Sequence, residues 1–167
     1  PFDVNDLVFQ HLSGKELLDS TLVSPEWNYY LNRSPILKKI TLVLPNISEN
    51  GYLYYLMRST RKYRNLRVED GSRIANEIVE VVANPYHKFN NISISRTEFF
   101  LKKQIEQIIL NCCLSIESLT LDCVTFKEKI EDELSTSYDF PKLKNLHLLY
   151  APRTPPSINK YFASFNS

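Results

Sequence analysis

A six-residue apolar pattern recurs five times along the chain at an almost constant interval, and this repetition limits the possible folds more than any other feature. Each window has apolar residues at its first, fourth and sixth positions. The windows are Leu37–Leu42, Tyr63–Val68, Phe89–Ile94, Ile116–Leu121 and Leu143–Leu148. Their first residues are 26 or 27 positions apart. A single window arises by chance in a chain rich in apolar residues, but five in phase indicate a structural repeat.

The segments between the windows carry apolar residues at helical spacing. These residues are Tyr52, Leu53 and Leu56; Ile74, Ile78, Val81 and Val82; Leu101, Ile105, Ile108, Ile109 and Cys112; Ile130 and Leu134; and Ile158, Tyr161, Phe162 and Phe165. Each unit therefore predicts a short strand, a turn and a helix, which cannot bury their apolar faces alone. Stacked copies bury one continuous core between a parallel sheet and a row of helices. A generic α/β sandwich is the alternative.

The windows resemble the leucine-rich repeat, whose pattern is L-x-x-L-x-L-x-x-[NC]-x-L. The resemblance covers residues 37–167 and implies an α/β fold, a short solenoid of about five repeats of 26–27 residues. The ninth position departs from the pattern, because it holds Pro45, Gly71, Thr97, Val124 and Ala151 in place of Asn or Cys. Since the asparagine ladder of the family is absent, we expect irregular turns.

The first 36 residues differ from the repeats and predict three short helices. Val4, Val8, Phe9 and Leu12 form a helical stripe; Ser13 and Glu16 have the spacing of a capping box; and Ser24-Pro25 is typical of an N-cap followed by a first helical residue. Pro35 ends the third helix. A segment of this size rarely contains a sufficient core of its own. Part of its apolar surface must therefore pack on the repeats or on another protein.

This segment resembles the F-box. The matching residues are Pro1-x-Asp3-Val4, Val8-Phe9-x-x-Leu12, Glu16-Leu17-Leu18 and Leu22-Val23-Ser24-x-x-Trp27. Asn5 departs from the family, which usually has leucine there. An F-box followed by leucine-rich repeats is a recognised pairing, so the resemblance implies an F-box at residues 1–36 and a repeat domain at residues 37–167.

The pairing implies a substrate receptor of an SCF-type cullin-RING E3 ubiquitin ligase. In that family the F-box docks on the Skp adaptor, which connects it to a cullin, and the repeats bind a protein substrate. The adaptor contacts implied by motif position are Pro1, Val4, Val8, Phe9, Leu12, Leu17, Leu18, Leu22, Val23 and Trp27. For Leu22, Val23 and Trp27, the alternative is that they seal the joint between the helices and the first repeat.

The substrate would be bound on the open side of the sheet. Because alternate side chains of a strand point to opposite faces, positions three, five and seven of each window face away from the core. The candidate substrate contacts are Asn65, Arg67, Glu69, Asn91, Ser93, Ser118, Thr120, Asp122, Asn145 and His147. In the first window the same positions hold Lys39, Thr41 and Val43. The alternative is an ordinary solvated sheet face.

Composition argues against several other functions. Twenty Lys and Arg residues oppose 19 Asp and Glu residues, and a net charge of +1 does not favour a nucleic-acid partner. The three glycines lie too far apart for a phosphate-binding loop. Basic residues crowd between Arg58 and Arg67, which indicates a patch for an acidic partner, an import signal or a solvated turn.

Catalysis has little support in the sequence. His11, His87 and His147 fall in unrelated units, and no Cys and His residues have zinc-ligand spacing, so we expect no metal and no cofactor. Cys112 or Cys113 paired with His147 is the conceivable nucleophilic arrangement. The odd cysteine number, with no secretory signal and no membrane-length apolar run, predicts a cytoplasmic or nuclear protein. A repeat scaffold or inhibitor whose degenerate F-box does not join a ligase is the main alternative function, and an enzyme is a distant third.

Overall fold

The computed structural model describes residues 7–12, 14–44, 50–99, 102–126 and 138–149. Residues 7–9 are helical, and two further helices follow, α1 (Gly14–Ser20) and α2 (Pro25–Arg33). The predicted N-cap of α2 is confirmed, because the hydroxyl of Ser24 accepts a hydrogen bond of 3.2 Å from the backbone N–H of Trp27. Pro25 occupies the first turn, where its missing N–H has no cost. A 3₁₀ helix, Pro35–Lys39, then leads into the sheet.

Five strands form one parallel sheet. In chain order they are β1 (Thr41–Leu44), β2 (Asn65–Glu69), β3 (Asn91–Ser95), β5 (Ser118–Asp122) and β7 (Asn145–Leu149), and they are neighbours in the same order. The two-residue strands β4 (Glu98–Phe99) and β6 (Thr125–Phe126) form a second small parallel pair. The α/β class and the parallel sheet predicted from the windows are confirmed.

Helices connect the strands and cover one side of the sheet. They are α3 (Asn50–Met57), α4 (Ala75–Ala83) and α5 (Lys102–Cys112), with a 3₁₀ turn, Gly71–Ile74, before α4. One core contains those predicted apolar positions of these helices whose side chains the structure describes, together with the inward side chains of the strands. It includes Leu53, Leu56, Ile78, Val81, Ile105, Ile108 and Cys112. The predicted positions Tyr52 and Leu101 lie outside the described side chains. The helices predicted at Ile130 and at Ile158–Phe165 lie outside the described residues.

The register of the first strand differs from the prediction by two residues. Thr41 pairs with Asn65, whereas the windows predicted that Lys39 would. The reason is that Lys39 still belongs to the preceding 3₁₀ helix, so the strand begins later. A shift of two preserves the alternation, and Leu42 and Leu44 are buried as in the other strands. The other strands pair at the predicted intervals of 26 and 27 residues.

The turns after β2, β3 and β5 are alike, which corrects the expectation of irregular turns. Asp70, Arg96 and Cys123 each follow the last strand residue, and their φ angles are 54°, 48° and 52°. Each donates its backbone N–H to the last strand residue of the next unit, at 2.9, 2.8 and 2.9 Å. A left-handed conformation costs a non-glycine residue about 1–2 kcal/mol, so these inter-unit hydrogen bonds must compensate for it.

Thr97 replaces the missing asparagine at the ninth position of its unit. Its buried hydroxyl donates to the carbonyl of Ser95 at 2.9 Å and accepts from the backbone N–H of Gly71, in the preceding unit, at 3.0 Å. Gly71 allows this close approach, because a Cβ there would lie 2.6 Å from a methyl group of Val68 and 2.7 Å from one of Ile78. The hydroxyl of Thr97 thus connects the turns of two adjacent units.

The buried apolar side chains form two clusters. The smaller one holds the N-terminal helices together and ends at Ile40, whereas the sheet core begins at Leu42. Arg61 joins the two parts, because its Nη2 donates to the hydroxyl of Thr21 at 2.9 Å and to Oδ1 of Asn28 at 3.5 Å. The domain boundary after residue 36 stays a prediction, although the first cluster includes Ile40.

We expect Thr97→Val to lower the free energy of unfolding by about 1–3 kcal/mol, because the isosteric valine leaves the buried N–H of Gly71 without a partner. It also removes one of the two hydrogen bonds that the carbonyl of Ser95 accepts, the other being from the N–H of Asp70. Urea unfolding followed by circular dichroism measures this loss. Thr120→Val is the matched control, since Thr120 lies on the open side of β5. Its effect should remain within about 0.5 kcal/mol. Equal unfolding energies of Thr97→Val and wild type would contradict the role of the hydroxyl.

Candidate functional site

The ten predicted substrate contacts lie together on one side of the sheet, which we call the open face. They form three rows across the paired strands: Asn65, Asn91, Ser118 and Asn145; then Arg67, Ser93, Thr120 and His147; and last Glu69 and Asp122, with Ser95 and Leu149 completing the row. None of these side chains is buried. In the first strand the rows continue at Thr41 and Val43, not at Lys39 and Thr41 as predicted. Whether this face binds a partner stays a prediction.

The first row is held in place by its own amides. Nδ2 of Asn91 donates to Oδ1 of Asn65 at 2.7 Å, and Nδ2 of Asn65 donates to the carbonyls of Lys38 and Ile40 at 2.9 and 3.3 Å. These bonds fix the orientation of two side chains before any ligand arrives. Fixed polar groups lose less conformational entropy on binding, which favours recognition.

Most of the charges at the open face lie around Glu69, whereas Asp122 lies two strands away. Arg67 and Glu69 form an ion pair on β2, and the guanidinium of Arg96 lies 3.9 Å from the other carboxylate oxygen of Glu69. All three side chains are exposed, so solvent screens the pairs and each contributes little to stability. They can therefore exchange partners with an incoming charged ligand at small cost.

A second polar row, at position two of the windows, was missed by the sequence reasoning. Nη1 of Arg64 donates to Oδ1 of Asn90 at 3.2 Å, Nδ2 of Asn90 to Oε1 of Glu117 at 2.6 Å, and Nζ of Lys144 to Oε2 of Glu117 at 2.7 Å. The hydrogen bond from Lys144, and then that from Asn90, lower the pKa of Glu117. The signal in the sequence was a polar residue at the second position of each window.

Two predicted adaptor contacts are buried inside the chain. Phe9 is 2% exposed, and its ring meets Trp27 edge to face at 5.1 Å and Tyr30 at 5.7 Å. Leu17 is buried in the same cluster, and Leu12 packs against it. Phe9 and Leu17 are therefore inaccessible in this conformation, because the helices use these side chains for their own small core. Their role as adaptor contacts stays a prediction.

Four other predicted contacts are exposed. Leu22 is 84% and Val23 66% exposed in the turn between α1 and α2, and Val8 and Trp27 are also accessible. Leu7 and Tyr29 are exposed too, although the motif did not mark them. We call these six residues the apolar helix surface. Pro1, Val4 and the side chain of Leu18 lie outside the described part of the structure.

The conceivable cysteine nucleophile is poorly placed. Burial raises the pKa of Cys112 to about 12, and its thiol donates to the carbonyl of Ile109. Cys113 is also buried, whereas His147 stands on the open face. A thiolate is the reactive form, so a thiol of this pKa does not act as a nucleophile near neutral pH.

The described residues contain no group of three or more His, Cys, Asp and Glu side chains that could hold a metal ion. Among their helices, none has the length and apolar character needed to cross a membrane. The expectation that the chain needs no metal or cofactor stays a prediction.

His87 is buried where the segment after α4 meets the segment before β2. Its Nδ1 lies 2.9 Å from the carbonyl of Arg61 and its Nε2 3.3 Å from that of Leu56, and its ring contacts Tyr63 and Phe89 at 5.4 Å. Burial lowers the pKa of His87 below its ordinary value of 6.5, although the two carbonyls partly oppose this shift. His87 thus fixes residues 61–64 against residues 84–88.

No family model matches this chain, and comparisons with curated proteins and with solved structures find no significant match. Its candidate functions therefore depend on its own residues and geometry.

The buried His87 predicts a pH dependence of stability. Because its pKa is lower in the folded state, the unfolded chain takes up this proton first as the pH falls below about 6.5. Stability is fully present above that pH and decreases below it, with a slope of at most about 1.4 kcal/mol per pH unit. Urea unfolding between pH 5 and pH 8 should lose this slope in His87→Gln and keep it in His147→Gln, whose side chain is exposed. The same slope in His87→Gln and wild type would contradict the assignment.

Proposed function

We propose that this chain is a non-catalytic substrate-recognition subunit of an SCF-type cullin-RING E3 ubiquitin ligase. Its N-terminal helices act as an F-box that docks on the Skp adaptor and through it on a cullin. Its open face binds a protein substrate. The observation that carries the proposal is the apolar helix surface, because it lies in the segment that resembles the F-box.

The apolar helix surface supports docking because its most exposed residues, Leu22 and Val23, are not members of the small N-terminal core. That core is already filled by Phe9, Leu17, Tyr30 and Leu31, while Leu22 and Val23 remain in water. Burying an exposed Leu or Val side chain contributes about 1.5–3 kcal/mol. Apolar anchors with a neighbouring aromatic residue are the usual composition of a binding hot spot. A partner that covers this surface would therefore gain considerable affinity.

We also propose that the strand and helix units form a leucine-rich repeat solenoid. This proposal is supported by the regular pairing of each unit with the next, at sequence intervals of 24, 26, 27 and 27 residues. The repeated left-handed turns at Asp70, Arg96 and Cys123 support the same arrangement. In such a solenoid each unit contacts its neighbours, and the sheet side forms an extended binding surface.

The chemistry of the open face favours a polar protein or peptide. Most of its side chains are small amides and hydroxyls, which can both donate and accept hydrogen bonds. The exchangeable charges of Arg67 and Glu69 add discrimination by charge. The face contains exposed Val43 and Leu149 at its two edge strands, so it also offers limited apolar contact.

The adaptor is the first test. The double variant Leu22→Ser, Val23→Ser should weaken binding of the purified Skp adaptor about tenfold or more, because two exposed anchors are lost. Isothermal titration calorimetry on the full chain measures the affinity. The matched control is Leu110→Ser, Leu114→Ser, since these leucines are also exposed, at 60% and 70%, but lie in the last turn of α5 and in the turn that follows it. The control should change the affinity less than about twofold.

Two outcomes would contradict the ligase assignment. If wild type ignores the adaptor at micromolar concentration, the chain is better described as a repeat scaffold or inhibitor with a degenerate F-box, as the departure at Asn5 would explain. If both double variants lose binding equally, adaptor docking does not use the apolar helix surface.

Phe9→Ala tests the division between core and surface. We expect it to lower the free energy of unfolding by about 3–5 kcal/mol, because it removes a buried ring that contacts Trp27 and Tyr30. The Leu22→Ser, Val23→Ser variant should unfold like wild type. Thermal unfolding followed by circular dichroism distinguishes them, and an unchanged midpoint in Phe9→Ala would contradict the role of this ring in the core.

A further inference from the structure

The basic stretch between Arg58 and Arg67 does not form one patch. The guanidinium of Arg58 lies over the ring of Tyr54 at 4.2 Å. Arg61 turns inward to Thr21 and Asn28, and Arg67 pairs with Glu69 on the open face. Three of the five cations are therefore engaged in three different places.

The remaining two cations meet a third one from the next unit. Lys62 and Arg64 line a depression of about 320 Å³ together with Lys88, Pro85 and Tyr86. Lys62 and Lys88 are exposed, Arg64 is half-buried, and no carboxylate is among these lining residues. The carboxylate of Glu117, which the second polar row connects to Arg64 through Asn90, is already paired with Lys144. The depression therefore concentrates positive charge that its own walls do not neutralise.

The walls of the depression are held in place before any ligand arrives. Nη1 of Arg64 donates to the carbonyl of Lys88 at 3.0 Å, and the backbone N–H of Lys88 donates to the carbonyl of Tyr63 at 3.3 Å. The buried Asn84 accepts from the N–H of Tyr86 at 2.9 Å and donates to the carbonyls of Met57 and Ser59. His87 is also fixed between these two backbone segments. Binding of a ligand in the depression therefore requires little rearrangement of its walls.

We propose that this depression binds a phosphate monoester, presented as a phosphorylated side chain of a peptide. A phosphomonoester carries close to two negative charges and three acceptor oxygens, which suit the two ammonium groups and the guanidinium of the residues that line the depression. The volume is within the range of ordinary ligand clefts, about 300–1,000 Å³. Tyr86 and Pro85 supply the apolar contact that the residues next to a phosphorylated side chain require.

The arrangement favours a single phosphate over a nucleic acid. Proteins that bind a nucleic-acid strand follow its backbone with an extended positive groove. Here the other three cations of the stretch, Arg58, Arg61 and Arg67, are engaged elsewhere. The positive charge of Lys62 and Arg64 is therefore confined to the depression. A net charge of +1 for the whole chain agrees with a local site.

The position of the depression indicates a peptide. Arg64 immediately precedes Asn65, and Lys88 lies three residues before Asn91, so the site borders the end of the open face where β2 and β3 begin. A chain whose phosphate is held there can continue along the amides of Asn65 and Asn91. The assignment of a peptide as the carrier of the phosphate rests on the proposed substrate-binding function of the open face. The assignment of the depression as an anion site does not.

An NMR titration of the full chain tests the site. The probe is a short alanine–glycine peptide with one phosphoserine, and its unphosphorylated form is the reference. We expect shifts of the backbone amides at residues 62–64 and 86–88, with affinity at least about tenfold lower for the reference peptide.

The variant Lys62→Glu, Lys88→Glu should weaken binding of the phosphopeptide about tenfold or more, because both side chains are exposed and their charges are reversed. The control Lys103→Glu, Lys142→Glu makes the same change in net charge elsewhere and should remain within about twofold.

Three results would overturn the proposal. Equal binding of both peptides would exclude phosphate recognition, and inorganic phosphate binding as tightly as the phosphopeptide would exclude a peptide source. A single-stranded oligonucleotide that binds the same amides more tightly than the phosphopeptide would identify a nucleic-acid site. Adaptor binding by the Lys62→Glu, Lys88→Glu variant separates the two proposals, since it should equal that of wild type whether or not the phosphate site exists.

Discussion

The pairing of each strand with the same strand of the next unit is the interaction on which the rest of the structure depends. A five-residue strand and a two- or three-turn helix cannot exclude enough water alone, so each unit is stable only when its neighbours cover it. Parallel pairing places equivalent residues of successive units side by side. The left-handed turns at Asp70, Arg96 and Cys123 exist for the same reason, because the N–H of each one is bound by the following unit.

Side chains add to this pairing at the places where backbone groups would otherwise lack partners. Thr97 completes the turn at Gly71, and Asn84 donates to the carbonyl of Met57 at the end of α3. Asn90 and Glu117 connect adjacent strands outside the core. Each contact joins residues about one unit apart. The sheet is therefore stabilised by contacts between adjacent units all along the chain.

The same arrangement separates the surfaces that are available for binding. The helices occupy one side of the sheet, which leaves the other side, the open face, for a partner. The N-terminal helices bury Phe9 and Leu17 among themselves, and this leaves Leu22 and Val23 outside. Arg61 fixes those helices beside the second unit, one residue from the cations of the depression. An exposed apolar helix surface, a polar open face and a depression lined by three cations are thus carried by one small frame.

The sequence by itself determined the positions of β2, β3, β5 and β7, of the described helices between the strands, and of the two sides of the sheet, because period-two and period-3.6 patterns decide which side chains must be buried. It did not determine the first register, since Ile40, Leu42 and Leu44 are apolar at every second position and a slip by two residues preserves the burial pattern. It also did not determine that Phe9 and Leu17 are buried, because a motif records which residues are apolar and not whether they face inward or outward. Only the tertiary structure decided the partners of Thr97, Arg64 and His87, since hydrogen bonds between units depend on which groups come within 3 Å of each other.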